Sequence, residues 1–204
     1  MRKHTIETLF IDTVSGGLRL GLFEDDKLVH SKTSRRADRI TEKMAHFQTK
    51  NLDRILVCHG PGGFTSARIG VSAGNALSFG LDIPIGTVSL FDLFPGNNIT
   101  FVTANQAETW VRLPGENPVF LTWEVLSGQL PPSFSFQGIL KDPWIKRLEE
   151  HGGKWKKKKT SQPDLSSLDF KRKIIKPWYY KGAHITWSEK HAPLYRLNAD
   201  RKSR

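Results

Sequence analysis

Ile55-Leu56-Val57-Cys58-His59-Gly60-Pro61-Gly62-Gly63-Phe64-Thr65-Ser66-Ala67-Arg68-Ile69-Gly70 decides how this chain is read. An apolar run of strand character enters a glycine-rich corner. The corner leaves into a segment whose small residues, Ser66, Gly70, Gly74 and Ser78, fall four apart along a helix ending near Phe79, with Gly80 as its C-terminal glycine. Thr65 or Ser66 is the expected cap. Glycine costs a helix roughly 0.5–1 kcal/mol relative to alanine. Two on one face therefore imply that another backbone packs close there, and the stripe is a candidate interface.

Upstream, Thr8 to Asp12 reads as a buried strand ending in an acid, and Gly16-Gly17 as a tight turn. Leu18, Leu20 and Leu22 alternate with Arg19, Gly21 and Phe23, which pairs a second strand back as a hairpin. Lys27 to Lys32 forms a third strand. Asp38 to Lys50 follows as a helix, with Ile40, Met44 and Phe47 as one narrow apolar stripe. Arg54 to Cys58 is a strand covered on both faces, and Ile85 to Val88 another. Residues 5–93 thus read β-β-β-α-β-α-β, an α/β domain with a mixed sheet.

The remainder, 94–204, reads as a second region. Ile99 to Val102, Thr109 to Leu113 and Phe120 to Val125 have strand character. Asp142 to His151 is a helix with Pro143 in its first turn, stopped by Gly152-Gly153. Lys154 to Asp169 reads as a polar, basic loop.

Charge separates the two regions. Residues 1–93 hold 12 Lys and Arg against 10 Asp and Glu; residues 94–204 hold 19 against 10, with all six tryptophans. The excess points to a polyanionic partner. Lys154, Trp155, Lys156, Lys157, Lys158 and Lys159, followed by Lys171-Arg172-Lys173 and Trp178-Tyr179-Tyr180, form a basic stretch with aromatics interleaved. It is read either as an RNA-contacting segment or as a solvated basic loop.

Other chemistry is sparse. Cys58 is the one cysteine, which leaves no internal disulfide and marks a small core residue. No run of about 18 apolar residues is present, and the default is a cytoplasmic protein away from membranes. Gly60, Gly62 and Gly63 before a helix could cradle a phosphate, but Pro61 removes a donor and no P-loop lysine follows. The alternative is a tight packing corner. Asp12 could hold a metal or orient water, or simply cap a turn. The histidines, among them His4, His184 and His191, form no H-x-x-x-H or H-E-x-x-H pattern.

Phe10-Ile11-Asp12-Thr13 with its glycine hairpin, Gly60 to Gly70, Gly80-Leu81-Asp82-Ile83-Pro84 and Val88-Ser89 together resemble the TsaB, or YeaZ, family. That family's loop typically reads Gly-Pro-Gly-Ser-Phe-Thr-Gly-Leu-Arg-Ile-Gly; here Gly63, Ser66 and Ala67 are substituted. Ala104 and Glu108 fit a second family segment in which Thr103 and Asn105 replace an acid and an arginine. Pro193-Leu194-Tyr195-Arg196 looks like the family's closing motif. The resemblance covers residues 5–93 and implies an actin-like ASKHA, or ribonuclease H-like, fold of two lobes with mixed sheets: 1–93 as the first lobe, 94–204 as a reduced, basic second one. It implies a non-catalytic subunit, without catalytic residues, cofactor or metal of its own, in the complex that makes N6-threonylcarbamoyladenosine beside the tRNA anticodon. ATP and metal would belong to its partners, a TsaD-like transferase and a TsaE-like ATPase. Pairing, with TsaD or as a homodimer, would use Ile40, Met44 and Phe47 or the small-residue stripe; tRNA would touch the lysine run. Two other readings stand beside it: a stand-alone ASKHA nucleotide hydrolase using Asp12 and the glycine loop, and a basic RNA-binding module.

Overall fold

Ten strands form two five-stranded sheets of matching design among the residues that the computed structural model describes, 5–47 and 51–180. In the first, β1 (Glu7–Asp12), β2 (Leu18–Glu24) and β3 (Lys27–Ser34) form an antiparallel meander. β1 is buried over five consecutive residues, as an apolar run covered on both faces must be. β3 is the edge, and its exposed Lys27 and His30 protect it from pairing with other strands. A 3-10 turn (Ala37–Arg39) and α1 (Ile40–Met44) lead to β4 (Arg54–Gly60), α2 (Phe64–Leu81) and β5 (Ile85–Ser89). β4 and β5 extend the sheet in parallel, giving the order β3-β2-β1-β4-β5.

The expected element order over residues 5–93 is found, with local corrections. α1 is much shorter than the Asp38–Lys50 helix. Phe47 donates its N–H to the Met44 carbonyl in a turn (2.9 Å), and its ring meets His30 edge-on on β3 (4.9 Å). Lys50 lies outside the described residues. α2 starts from Gly63, with no side-chain cap from Thr65 or Ser66, and Asp82 rather than Gly80 takes the left-handed cap position, φ 51°.

A 3-10 turn (Leu90–Leu93), started by Ser89 Oγ accepting from Phe91 N (3.0 Å), leads into the second sheet. Its strands are β6 (Ile99–Thr103), β7 (Glu108–Arg112), β8 (Val119–Thr122), β9 (Phe134–Ile139) and β10 (Gly153–Trp155), with α3 (Trp123–Ser127) and α4 (Asp142–Glu150) between them. The order β8-β7-β6-β9-β10, antiparallel on the hairpin side and parallel on the other, repeats the first sheet strand for strand. α3 and α4 hold the chain positions of α1 and α2. Two strands were absent from the sequence reading. β9 contains the buried, polar Gln137 and Gly138. β10 takes Lys154 and Trp155 out of the expected loop. The expected strand Phe120–Val125 divides into β8 and α3.

Each lobe has its own core. Leu9, Ile11, Leu20, Ile55 and Val57 pack under α1 and α2; Phe101, Val111, Phe136, Trp144 and Leu148 fill the second lobe. A third core lies between the sheets, where Phe10, Leu56, Leu90 and Phe91 meet Val102, Trp110 and Ile139. After β10 the chain returns to the first lobe. Ser161 N donates to Leu93 O (2.7 Å), Lys171 pairs with Ile85 at the edge of β5, and Asn75 on α2 exchanges two hydrogen bonds with Ile175. Residues 156–180 therefore form a strap. Among the described residues no helix is long and apolar enough to cross a membrane.

Candidate functional site

β1 and β4 are parallel neighbours in the middle of the sheet, so Asp12 and Gly60 lie close together at the C-terminal ends of these two strands. The sequence reading placed a possible site here, and the topology brings its parts together. Their hydrogen bonds decide what they can do. Asp12 is fully buried. One carboxylate oxygen accepts from Val14 N (2.9 Å) and Ser15 N (3.1 Å). The other accepts from the Ser15 hydroxyl and from Arg19 Nη2 (3.1 Å). This is an Asx-type turn cap with a guanidinium counter-ion. Arg19 in turn donates from Nη1 to Ser161 O (2.9 Å), tying the hairpin to the strap.

The glycine corner is covered by the strap's last described residues. Trp178 N donates to His59 O (2.7 Å), Gly62 N to Trp178 O (3.0 Å), and Tyr180 N to Gly62 O (3.0 Å). A Cβ on Gly60, at φ +135°, would lie 2.1 Å from Trp178 O. The corner is glycine because a backbone sits against it, and that backbone belongs to the same chain. Trp178 lies among His59, Phe91 and Trp110, at centroid separations of 5.9, 6.0 and 4.9 Å. Trp110 Nε1, from the second lobe, donates to Tyr180 O (3.1 Å). Tyr179 stacks on Phe64 (4.9 Å) at the start of α2. Gly62 is itself closed off by Val14; Gly63 is open. Burial holds the His59 imidazole below its ordinary range, opposed by the Lys176 backbone and the charge of Asp92. Burial also pushes the Cys58 thiol up, in keeping with a core residue.

The proposed contact stripes turn inward. A Cβ on Gly70 would meet Thr13 Oγ1 at 2.4 Å, one on Gly74 would meet Val57 Cγ2 at 2.4 Å, and Ser78 donates to Ile83 O (2.6 Å). Ser66 is half-buried, and its carbonyl accepts from Thr13 Oγ1 (2.7 Å). The close neighbour implied by the small residues is the protein's own sheet. Ile40 and Phe47 are buried in the first-lobe core, and Met44 packs against it. Both stripes are spent largely on the protein's own core, with Met44 and Ser66 left half-buried. The large apolar side chains that α2 exposes are Phe64, Leu81 and above all Phe79, 91% accessible, which lines one cavity with Ile174 of the strap, 83% accessible.

The lysine run also divides. Trp155 is half-buried and packs on Phe136 (5.2 Å), so one side of its ring serves the second lobe's core. Lys154 is exposed on β10, and Lys156 N donates to Phe136 O (2.7 Å) beyond the strand end. Lys157, Lys158 and Lys159 are exposed. Thr103, which ends β6 as Asp12 ends β1, donates to Ile139 O (3.2 Å); Asn105 closes the next turn through Ala107 N, Glu108 N and the Glu108 carboxylate. Among the described residues no three His, Cys, Asp or Glu side chains are grouped to hold a metal ion. His4, His184, His191 and the segment Pro193 to Arg196 lie outside those residues.

Two participants escaped the sequence reading. Arg19 carried a signal, because pairing β1 with β2 as a hairpin sets it directly opposite Asp12. Trp178 to Tyr180 stands out in the sequence for its aromatics, but nothing local predicts that it folds back on the glycine corner.

Comparison with known proteins agrees with this architecture. The model of the family described as TsaD, tRNA N6-adenosine threonylcarbamoyltransferase, matches residues 30–94. The tRNA threonylcarbamoyladenosine biosynthesis protein TsaB of Bacillus subtilis is 30% identical over 159 residues, 70% of this chain. The match spans 66% of that relative's length, just under two thirds. Among solved structures, a protein with similarity to the peptidase YeaZ from Pseudomonas aeruginosa superposes with a TM-score of 0.51 at 20% identity, covering 65% of this chain and 74% of the other. YeaZ from the same organism gives 0.50 at 16%, covering 65% and 75%. These two solved structures support the two-lobed, actin-like fold.

Proposed function

We propose that this chain, which belongs to the TsaB/YeaZ family, takes part in the synthesis of N6-threonylcarbamoyladenosine on tRNA as a non-catalytic assembly subunit that supports a TsaD-like transferase. The observation that carries the reading is the covered corner. Asp12 has given its oxygens to Arg19 and the hairpin turn, and the glycine loop is hydrogen-bonded to Trp178 and Tyr180. Atoms that a phosphotransfer site would direct at a nucleotide are here committed to the hairpin turn and to the strap. The same facts weigh against a stand-alone nucleotide hydrolase. ATP and metal then belong to the partners, a transferase and a TsaE-like ATPase.

With most of both sequence-predicted stripes turned into the protein's own core, the partner's contact falls on the outer side of α2, where Phe79 and Ile174 are exposed together. Single exposed apolar residues need no explanation, but two large ones on adjoining elements favour an interface. The test is co-purification with the TsaD-like protein of the native organism. Retention at micromolar concentration that is lost in the Phe79→Glu/Ile174→Glu variant is the expected result. No retention of the unaltered chain overturns the assembly role. Self-association that competes with the transferase would identify a homodimer on the same face.

A further inference from the structure

Two neighbouring cavities flank the Asp12–Arg19 hairpin, and Ser15 and Arg19 line both. One, of about 420 Å³, lies over Gly16-Gly17 and reaches Thr33, Ser34 and Arg35 on the end of β3. The other, of about 350 Å³, lies between the lobes and reaches Lys158, Lys159 and Thr160 on the strap. No carboxylate lines either one. The nearest, Asp12, is buried and already engaged by Arg19 and Ser15. Among the described residues, Arg35, Lys158 and Lys159 have no carboxylate partner within salt-bridge distance. Arg19 Nε is buried without a hydrogen-bond partner.

Cations gathered in a concavity without acids repel one another, and an anion removes that repulsion. The shape narrows the anion. Adjacent cavities with cations free of carboxylates at their outer ends, Arg35 on one side and Lys158 and Lys159 on the other, fit an extended chain of charges better than a single phosphate; Arg19 between them is already paired with Asp12. The wall supplies hydroxyls from Ser15, Thr33, Ser34 and Thr160. It supplies no exposed ring, since Phe94 is buried. A groove of that kind follows a backbone and leaves bases unread.

We infer that the groove from Arg35 past Arg19 to Lys158 and Lys159 binds the phosphodiester backbone of an RNA strand. The choice of RNA over another polyanion rests on the tRNA-modification reading above; the groove itself does not. It also reassigns the lysine run. Lys158 and Lys159 act from between the lobes, while Lys154 and Trp155 serve the second sheet.

Binding of a fluorescently labelled single-stranded RNA and of an unmodified tRNA transcript to the full chain, followed by anisotropy between about 50 and 200 mM salt, tests this. The Arg35→Gln/Lys158→Gln/Lys159→Gln variant is expected to bind both RNAs about tenfold or more weakly, with a shallower dependence on log salt by about 0.7 per lost contact. A control carrying Lys146→Gln and Lys173→Gln, two exposed lysines outside the groove, keeps the original affinity and slope. All proteins should melt together, since the altered side chains are at the surface. Equal losses in variant and control, absence of RNA binding by the unaltered chain, or complete displacement of RNA by stoichiometric ATP would each overturn the proposal. Retention of a TsaD-like protein by the groove variant separates this failure from failure of the assembly role.

Discussion

The two lobes share one strand order and oppose each other in how a helix sits on the sheet. In the first lobe, α2 removes side chains from its inner face so that Gly70 and Gly74 come against Thr13 and Val57. In the second, α4 drives Trp144 and Leu148 into the sheet, each about fully buried, and Trp144 Nε1 donates to Asn105 O (2.7 Å). The difference follows from length. α2 has 18 residues and lies along the sheet; α4 has nine and needs bulky anchors to bury comparable area. One topology is thus stabilised by close backbone approach in one half and by aromatic insertion in the other.

The contrast can be broken most sharply at Trp144. Trp144→Ala is expected to cost about 3–5 kcal/mol, the range for a buried large aromatic, and calorimetry should lose the second lobe's share of the transition first. The hairpin ends come next. Asp12→Asn removes the charge from a pair that is buried on one side and partly open on the other, and should cost about 2–3 kcal/mol by chemical denaturation. Its topological counterpart region is held by the Asn105 amide, through Ala107 N, Glu108 N and the Glu108 carboxylate, with no guanidinium counter-ion, so Asn105→Ala should cost only about 1–2 kcal/mol. Third, Gly74→Val overpacks α2 by about 1–3 kcal/mol, and Val57→Ala in the same chain should recover part of that. Absence of coupling between the two would contradict the close approach of α2 to β4.

The smallest effect concerns His59, which lies under the strap. Its imidazole titrates below the ordinary value in the folded protein, so the unfolded chain binds its proton first as pH falls. Stability at His59 is therefore complete above about pH 6.5 and is lost on acidification below that. Thermal melting from pH 7.5 to 5.5 should show the decline, and His59→Gln should flatten it. An unchanged slope in the variant would assign the pH dependence elsewhere.

The first lobe was legible because its elements declare themselves one at a time. Thr8 to Asp12 and Arg54 to Cys58 are apolar runs, and Gly60 to Gly63 is a corner by composition. The orientation of α2 was not legible, because a stripe of small residues says that something comes close without saying what. β9 was hidden for a related reason. Gly138 interrupts its pattern, yet a Cβ there, at φ +136°, would sit 1.8 Å from Phe101 O, so the residue that spoils the strand signal is the one that lets the strand pair. Gln137 adds to the disguise, being buried through bonds to Pro95 O and Thr100 Oγ1 (both 3.2 Å). Of the candidate site, Asp12 and the glycines were visible; their cover by Trp178 to Tyr180 was not, since it spans more than a hundred residues of chain.

The strap has a further consequence, in time rather than in space. When β5 has left the ribosome, the first sheet still has a bare edge, because Lys171 has not yet arrived to pair with Ile85. The glycine corner is equally unfinished, awaiting Trp178. The order of synthesis therefore exposes an unpaired strand through the making of the whole second lobe, a long-range closure of the kind that folds slowly and invites association with other chains. A newborn molecule reaches its native state only after its late residues have come back to complete its earliest part.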